Sequence, residues 1–228
     1  SGYNYSNGTT VAESSANSYK YFKVEPVVWR VLKDSDGKYM ILAEKLLTAN
    51  VAYYPYSNVN RTIDNKTVYP NNYEHSSIRA FLNGLSYEEK ASTAGTQSSN
   101  SDYLSKGFLQ QAFTDNQQEK IALTTVDNSV SSITYDGDSS TISDTYTCPD
   151  TTDKIFLLSE KEVTTSGYGF AAYNDCGTGN ARIRKTTDYA KANYCYDNPA
   201  GCWWLRSPDG SETKNVHLVF ENGLADDT

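Results

Sequence analysis

The sequence predicts an α+β fold of small twisted antiparallel sheets, short helices and long loops, and three observations carry that expectation. VVWRVL and YMILAEKLL, within residues 27–47, are β-rich runs joined by KDSDGK, with Asp36-Gly37 at the bend. CWWLRS (202–207) and NVHLVF (215–220) form a second such pair across PDGSETK. Between them, Ile78, Phe81 and Leu82 fall at i, i+3 and i+4, the spacing of one helix face.

The elements follow in order. Residues 1–18 are Ser, Asn, Gly and Thr with little to bury, so they read as a flexible lead-in or one loose strand, with one domain or two following from residue 19. Pro26 marks an edge or bulge before the first hairpin. A Tyr-rich loop (53–73) leads to the helix of HSSIRAFLNG, stopped by Asn83-Gly84. Residues 86–106 are poor in hydrophobics and read as a polar surface insertion. Helical spacing returns at Phe108, Leu109, Ala112 and Phe113, and Thr114 with Gln117 forms a capping-box pattern. Residues 127–154 read as loop. DKIFLLSEKEV (153–163) reads as a buried strand followed by one helical turn, capped by Ser159 with Glu162. TTDYAKANY (186–194) supplies a further turn of helix. Pro208-Asp209-Gly210 fits a type I turn, and Val216, Leu218 and Phe220 share a face, which predicts a half-buried last strand.

Composition removes several function classes. The chain has 228 residues, a net charge of −8 and a mean hydropathy of −0.63. No Lys/Arg run tracks phosphates, so nucleic acid is not an expected partner. No apolar stretch reaches membrane-spanning length, so direct membrane insertion is not expected either. Tyr outnumbers Phe 19 to 7, and Tyr is the aromatic suited to wet recognition surfaces and equally to amphipathic filling. Four cysteines, Cys148, Cys176, Cys195 and Cys202, lack zinc-site spacing. Their even number suits an oxidising compartment, with Cys195–Cys202 and Cys148–Cys176 one of three possible pairings; buried thiols are the alternative.

The order VEPVVWRVL, MILAEKLL, SSIRAFLNG, FLQQAFTDNQQEKIALTTV, TDKIFLLSEKEV, TDYAKA and WWLRSPDG resembles the "domain of unknown function 6273" family over roughly residues 20–223. That family occurs in exported and surface proteins of bacteria and is similar to C-type-lectin-like folds. The resemblance implies one extracellular or cell-surface domain over 19–228, with no assigned activity. Members usually continue past the last hairpin with a further strand. Here the chain ends at Thr228, so that strand is expected to be missing or supplied otherwise.

No catalytic constellation stands out. Nucleophile elbow, zincin, phosphate-loop and dinucleotide motifs are absent. Asp34-Ser-Asp36-Gly37 and Asp136-Gly-Asp138 lack the remaining ligands of a calcium loop, so no metal or cofactor is expected. ANYCYDNPAGCWWLRSPDG gathers Tyr, Trp, Arg and amide side chains of the kind that dominate binding hot spots. Alternation along the strand places Trp203 with Leu205 on one face and Trp204 with Arg206 on the other. Tyr194, Tyr196, Asp197, Asn198, Trp204 and Asn215 are the candidate ligand-binding residues, and Trp29, Trp203 and Arg206 the structural ones. The expected function is a non-enzymatic recognition or adhesion module for a glycan or a host or bacterial surface protein. A ligand-free structural spacer is the alternative. A thiol- or metal-dependent enzyme using Cys195 and Cys202 stands behind both.

Overall fold

The computed structural model describes residues 22–23, 25–54, 59–87, 101–103, 106–134, 144–193, 195 and 200–227. The 1–18 lead-in and most of the 86–106 insertion lie outside these residues. What is described is a mixed α+β chain of small sheets and short helices.

β1 (Trp29–Ser35) pairs antiparallel with β2 (Lys38–Ala43). Asp36 and Gly37 bend between them at φ 51° and 73°, the left-handed backbone that matches the twist of the flanking strands. A bulge falls between Val31 and Lys33. Leu32, Met40 and Leu42 turn inward onto a core cluster, while Trp29, Val31, Tyr39 and Ile41 stay exposed. β3 (Lys45–Leu46) follows and pairs in parallel with Lys185–Thr186, far along the chain.

The Tyr-rich stretch is more than a loop. It holds a second hairpin, β4 (Arg61–Ile63) with β5 (Lys66–Val68), turned by Asp64 and Asn65 at φ 49° and 60°. α1 (Ser77–Asn83) starts where Ser76 Oγ accepts from the Arg79 N–H and stops at left-handed Gly84. A Cβ on Gly84 would meet the Gln110 side chain at 2.2 Å in addition to straining φ. Gly84→Ala is therefore expected to cost about 1–2 kcal/mol, a fall in Tm of several degrees in a thermal melt.

β6 (Ser86–Tyr87) and β7 (Ser101–Asp102) pair at the base of the insertion. α2 (Phe108–Ala112) and α3 (Asp115–Lys120) follow, the latter opened by the Thr114/Gln117 capping box. The segment over 127–154 is less loop-like than its composition predicts. β8 (Thr124–Val126) pairs with β9 (Thr151–Asp153), and α4 (Val130–Ile133) lies between them. α5 (Glu160–Val163) has the Ser159/Glu162 capping box. Residues 154–158, read as a buried strand, form none. The Leu158 carbonyl accepts the Arg206 N–H at 2.9 Å, and Leu157 is bonded through the Arg206 side chain, so single bonds replace a ladder. β10 (Lys185–Thr186) and α6 (Asp188–Ala192), capped by Thr187, precede the last sheet.

That sheet has the order β11 (Trp203–Pro208), β12 (Val216–Val219), β13 (Ala225–Asp227), all antiparallel. β13 supplies a third strand beyond the hairpin. Gly223, at φ 85°, closes the turn into it. β12 is central, and all four of its residues are buried rather than one face only. Leu205, Val219 and Ala225 join Leu32, Leu158, Val163 and Phe170 in one core cluster, while Val216 joins Tyr53, Tyr73, Ile78 and Leu82 in another. Fully buried Leu205 and Val219 each contribute about 1.5–3 kcal/mol. The 208–215 connection is built around Asp209 rather than as a type I turn. Its N–H donates to the Asn215 carbonyl, and its Oδ1 accepts from the Ser211 hydroxyl and the Ser211 and Glu212 N–H groups.

Four arginines, Arg61, Arg182, Arg184 and Arg206, are buried. Among the described residues no helix is long and apolar enough to cross a membrane.

Candidate functional site

The two tryptophans of β11 divide the work of the last sheet. Trp203 packs against the cluster containing Leu205, and its Nε1 donates to the Arg182 carbonyl at 3.2 Å. Trp204 packs against the other cluster, edge-on to Tyr53 with ring centroids 5.9 Å apart. Register breaks between Trp204 and Pro208, which frees Arg206 from the ladder. Its guanidinium turns inward to Glu162 and donates to the Leu157 and Asp127 carbonyls.

Both indoles, with Cys195 and Cys202, line a groove of about 350 Å3. The opposite wall comes from 42–51 and from Ile78, Phe81 and Leu82 of α1. Arg184 also lines the groove, and Glu44 neutralises it through a 2.6 Å pair while accepting from Arg30 Nε at 2.8 Å. Burial pushes the Glu44 carboxyl up, but the two arginines outweigh it and hold its pKa below the ordinary value. A second cleft, of about 540 Å3, shares Lys45, Leu47 and Thr48 with the groove. It is lined by Phe22 and Tyr189, packed edge-to-face at 5.4 Å, with Lys23, Glu25 and Asp188 beside them. The two depressions thus adjoin along one stretch of chain.

Of the residues expected to bind ligand, Tyr194, Tyr196, Asp197 and Asn198 lie outside the described residues. Trp204 lines the groove. Asn215 does not, because it sits at the turn end of the hairpin while Trp204 pairs with Leu218 at the other end. Of the residues expected to be structural, Trp203 and Arg206 are engaged as above. Trp29 is on the outer face of the first hairpin, 36% exposed and stacked on Phe113 at 6.4 Å.

No disulfide joins Cys148, Cys176, Cys195 or Cys202 in the structure, so the suggested pairings have no support there. Cys148 packs into the Tyr53–Tyr73 cluster, whereas Cys176 is exposed in the loop beside Arg182, so those two belong to different parts of the fold. Cys195 and Cys202 share the groove, but the Cys202 Sγ is directed at Glu221 Oε2, 3.4 Å away. Burial lifts the Cys202 pKa and the Glu221 contact adds to it; burial pushes Cys148 up to about 11. Both shifts run against forming the thiolate that nucleophilic or redox chemistry uses. Neither His75 nor His217 lines the groove. His75 is beside Glu74, and His217 Nδ1 faces Glu160 at 3.4 Å. No group of three His, Cys, Asp or Glu among the described residues is placed to hold a metal ion.

A family model for a domain of unknown function (DUF6273) matches residues 36–228. The chain belongs to that family. The match takes in α1 and β11, so every lining residue of the groove of this DUF6273 chain, including Trp203, Trp204 and both thiols, lies inside the family domain. No curated protein and no solved structure matches the chain.

The groove's far wall has no local signature, because 42–51 and α1 meet β11 only through tertiary packing. Arg182 was also overlooked. The alternation in ARIRK puts Arg182 and Arg184 on one face, but an apolar-in reading would turn Ala181 and Ile183 inward instead, so the burial of the two arginines has no local signal.

Proposed function

We propose that this DUF6273 chain is a non-enzymatic recognition module with a C-type-lectin-like arrangement, working at the outside of a bacterial cell and binding a glycan or a surface protein in the tryptophan-lined groove. The observation that carries the proposal is the groove itself. Two indoles from one strand end border an apolar depression in the lower part of the size range of small-molecule sites. Apolar walls with aromatic borders suit the C–H face of a sugar ring or an apolar side chain. The adjoining Phe22–Tyr189 cleft adds polar groups along the same path, which favours an extended ligand over a compact one. Raised thiol pKa values support a binding role over a thiol enzyme.

The test is a glycan array probed with multivalently displayed protein, with and without EDTA, because multivalency makes weak single-site contacts visible. A saturable hit is expected that survives EDTA and weakens at least ~10-fold in Trp204→Ala, as for a buried aromatic anchor. Trp204→Phe keeps the packing on Tyr53 and is expected to retain part of the binding. A hit that Trp204→Ala leaves unchanged excludes this groove. A blank array moves the weight from a glycan to a surface-protein ligand or to a ligand-free spacer.

A further inference from the structure

Among the described residues, the outer face of the first hairpin gathers most of the exposed large apolar side chains. Val28, Val31 and Tyr39 keep 67, 56 and 61% of their surface exposed, and Val27, Trp29 and Ile41 add to the same region. Register explains the clustering. Val31 lies opposite Ile41, and Trp29 and Tyr39 flank that pair on the same side, so the pleat puts a row of apolar side chains outward while Leu32, Met40 and Leu42 serve the core. A half-buried hairpin ordinarily alternates apolar-in with polar-out. This one is apolar on both faces.

From this we propose that the hairpin face is a two-fold interface through which two copies of the chain associate. With about 150–200 Å2 for a fully exposed large apolar side chain, the six residues expose on the order of 500 Å2. Two copies packed face to face would remove about 1,000 Å2, the lower bound of a specific interface. β-branched and aromatic residues on one face of a hairpin are the material of sheet-on-sheet packing. Charge permits the approach. The hairpin carries Arg30, Lys33 and Lys38 against Asp34 and Asp36, close to neutrality, whereas the whole chain is at −8. Two copies therefore escape, on this face, the repulsion that their remaining surfaces impose. A closed two-fold contact also buries each apolar row against its own equivalent, leaving no patch to propagate into filaments.

Sedimentation equilibrium on the full chain, from 1 to ~500 µM, tests this. A monomer–dimer equilibrium is expected, weakened at least ~10-fold by Val31→Asp and by Ile41→Asp, each of which buries a charge in the contact. Thr67→Asp places the same charge on the other exposed hairpin and is expected to leave the equilibrium unchanged. Should Val31→Asp lose its near-UV circular dichroism, Tyr39→Ser makes the same test with a milder change. A monomer at every concentration overturns the proposal, as does a dimer whose affinity none of the hairpin variants alters.

Discussion

Arg182→Met is expected to destabilise the protein by about 4 kcal/mol or more, the largest effect of any single substitution considered. Arg182 is fully buried, and it serves as the hub of three chain segments. Nε donates to the Gly223 carbonyl at 2.6 Å, and Nη1 to the Ala171 and Val163 carbonyls at 2.7 and 3.2 Å. Nη2 reaches the carbonyls of Ala172, Tyr173 and Asp175. Burial lowers its pKa, opposed mainly by Asp175. Methionine fills much of the same volume but offers no donor. The buried carbonyls of Val163 and Gly223 would then lose their donor inside the fold, and the four of the partly exposed 171–175 loop would lose the tie that holds the loop in place. Urea unfolding checks this, since the expected loss is a large share of the ~5–15 kcal/mol of a typical domain. Arg182→Lys is also expected to destabilise, because an ammonium has three donors where the guanidinium uses more. A midpoint within ~1 kcal/mol of the parent would mean that the loops hold their positions without the cage.

Arg206→Leu is expected to cost about 3–5 kcal/mol, by a different route. Arg206 is buried and paired with Glu162, whose Oε2 also accepts the Ser159 N–H at 2.8 Å in the capping box of α5. Leucine would leave that carboxylate facing the interior without its cation, and the carbonyls of Leu157 and Asp127 without a donor. Because much of the penalty belongs to the stranded carboxylate, the double variant Arg206→Leu with Glu162→Gln is expected to be more stable than the two single losses summed. The coupling, read from a urea-denaturation cycle, is the checking quantity. Strict additivity would show that the pair contributes nothing beyond its separate contacts.

Local signals in the sequence were sufficient for the first hairpin, for α1 and for the two capping boxes, since Asp36-Gly37, Ser76 to Gly84, Thr114/Gln117 and Ser159/Glu162 each act within a few residues. The β4–β5 hairpin escaped because its strands are three residues long, too short to show alternation, and its turn is Asp-Asn rather than Asp-Gly. Residues 154–158 failed as a strand for a tertiary reason: the bulge in β11 gives Arg206 to Leu157 and Leu158, and this takes the place of a ladder. β13 is three residues long, too short for alternation to announce it. In the candidate site, alternation placed Trp203 with Leu205 and Trp204 away from it, as the two core clusters show. The groove's opposite wall was illegible because it lies more than 120 residues earlier in the chain.

In the proposed function, ligand enters the groove beside Trp203 and Trp204. Fluorine NMR of protein carrying 5-fluorotryptophan tests it most directly, because the three tryptophans report on two places: Trp203 and Trp204 at the groove, and Trp29 on the hairpin face. Titration with the strongest array ligand is predicted to move the Trp204 resonance most, Trp203 less and Trp29 not at all. A ligand that saturates while leaving both groove resonances in place would contradict the claim.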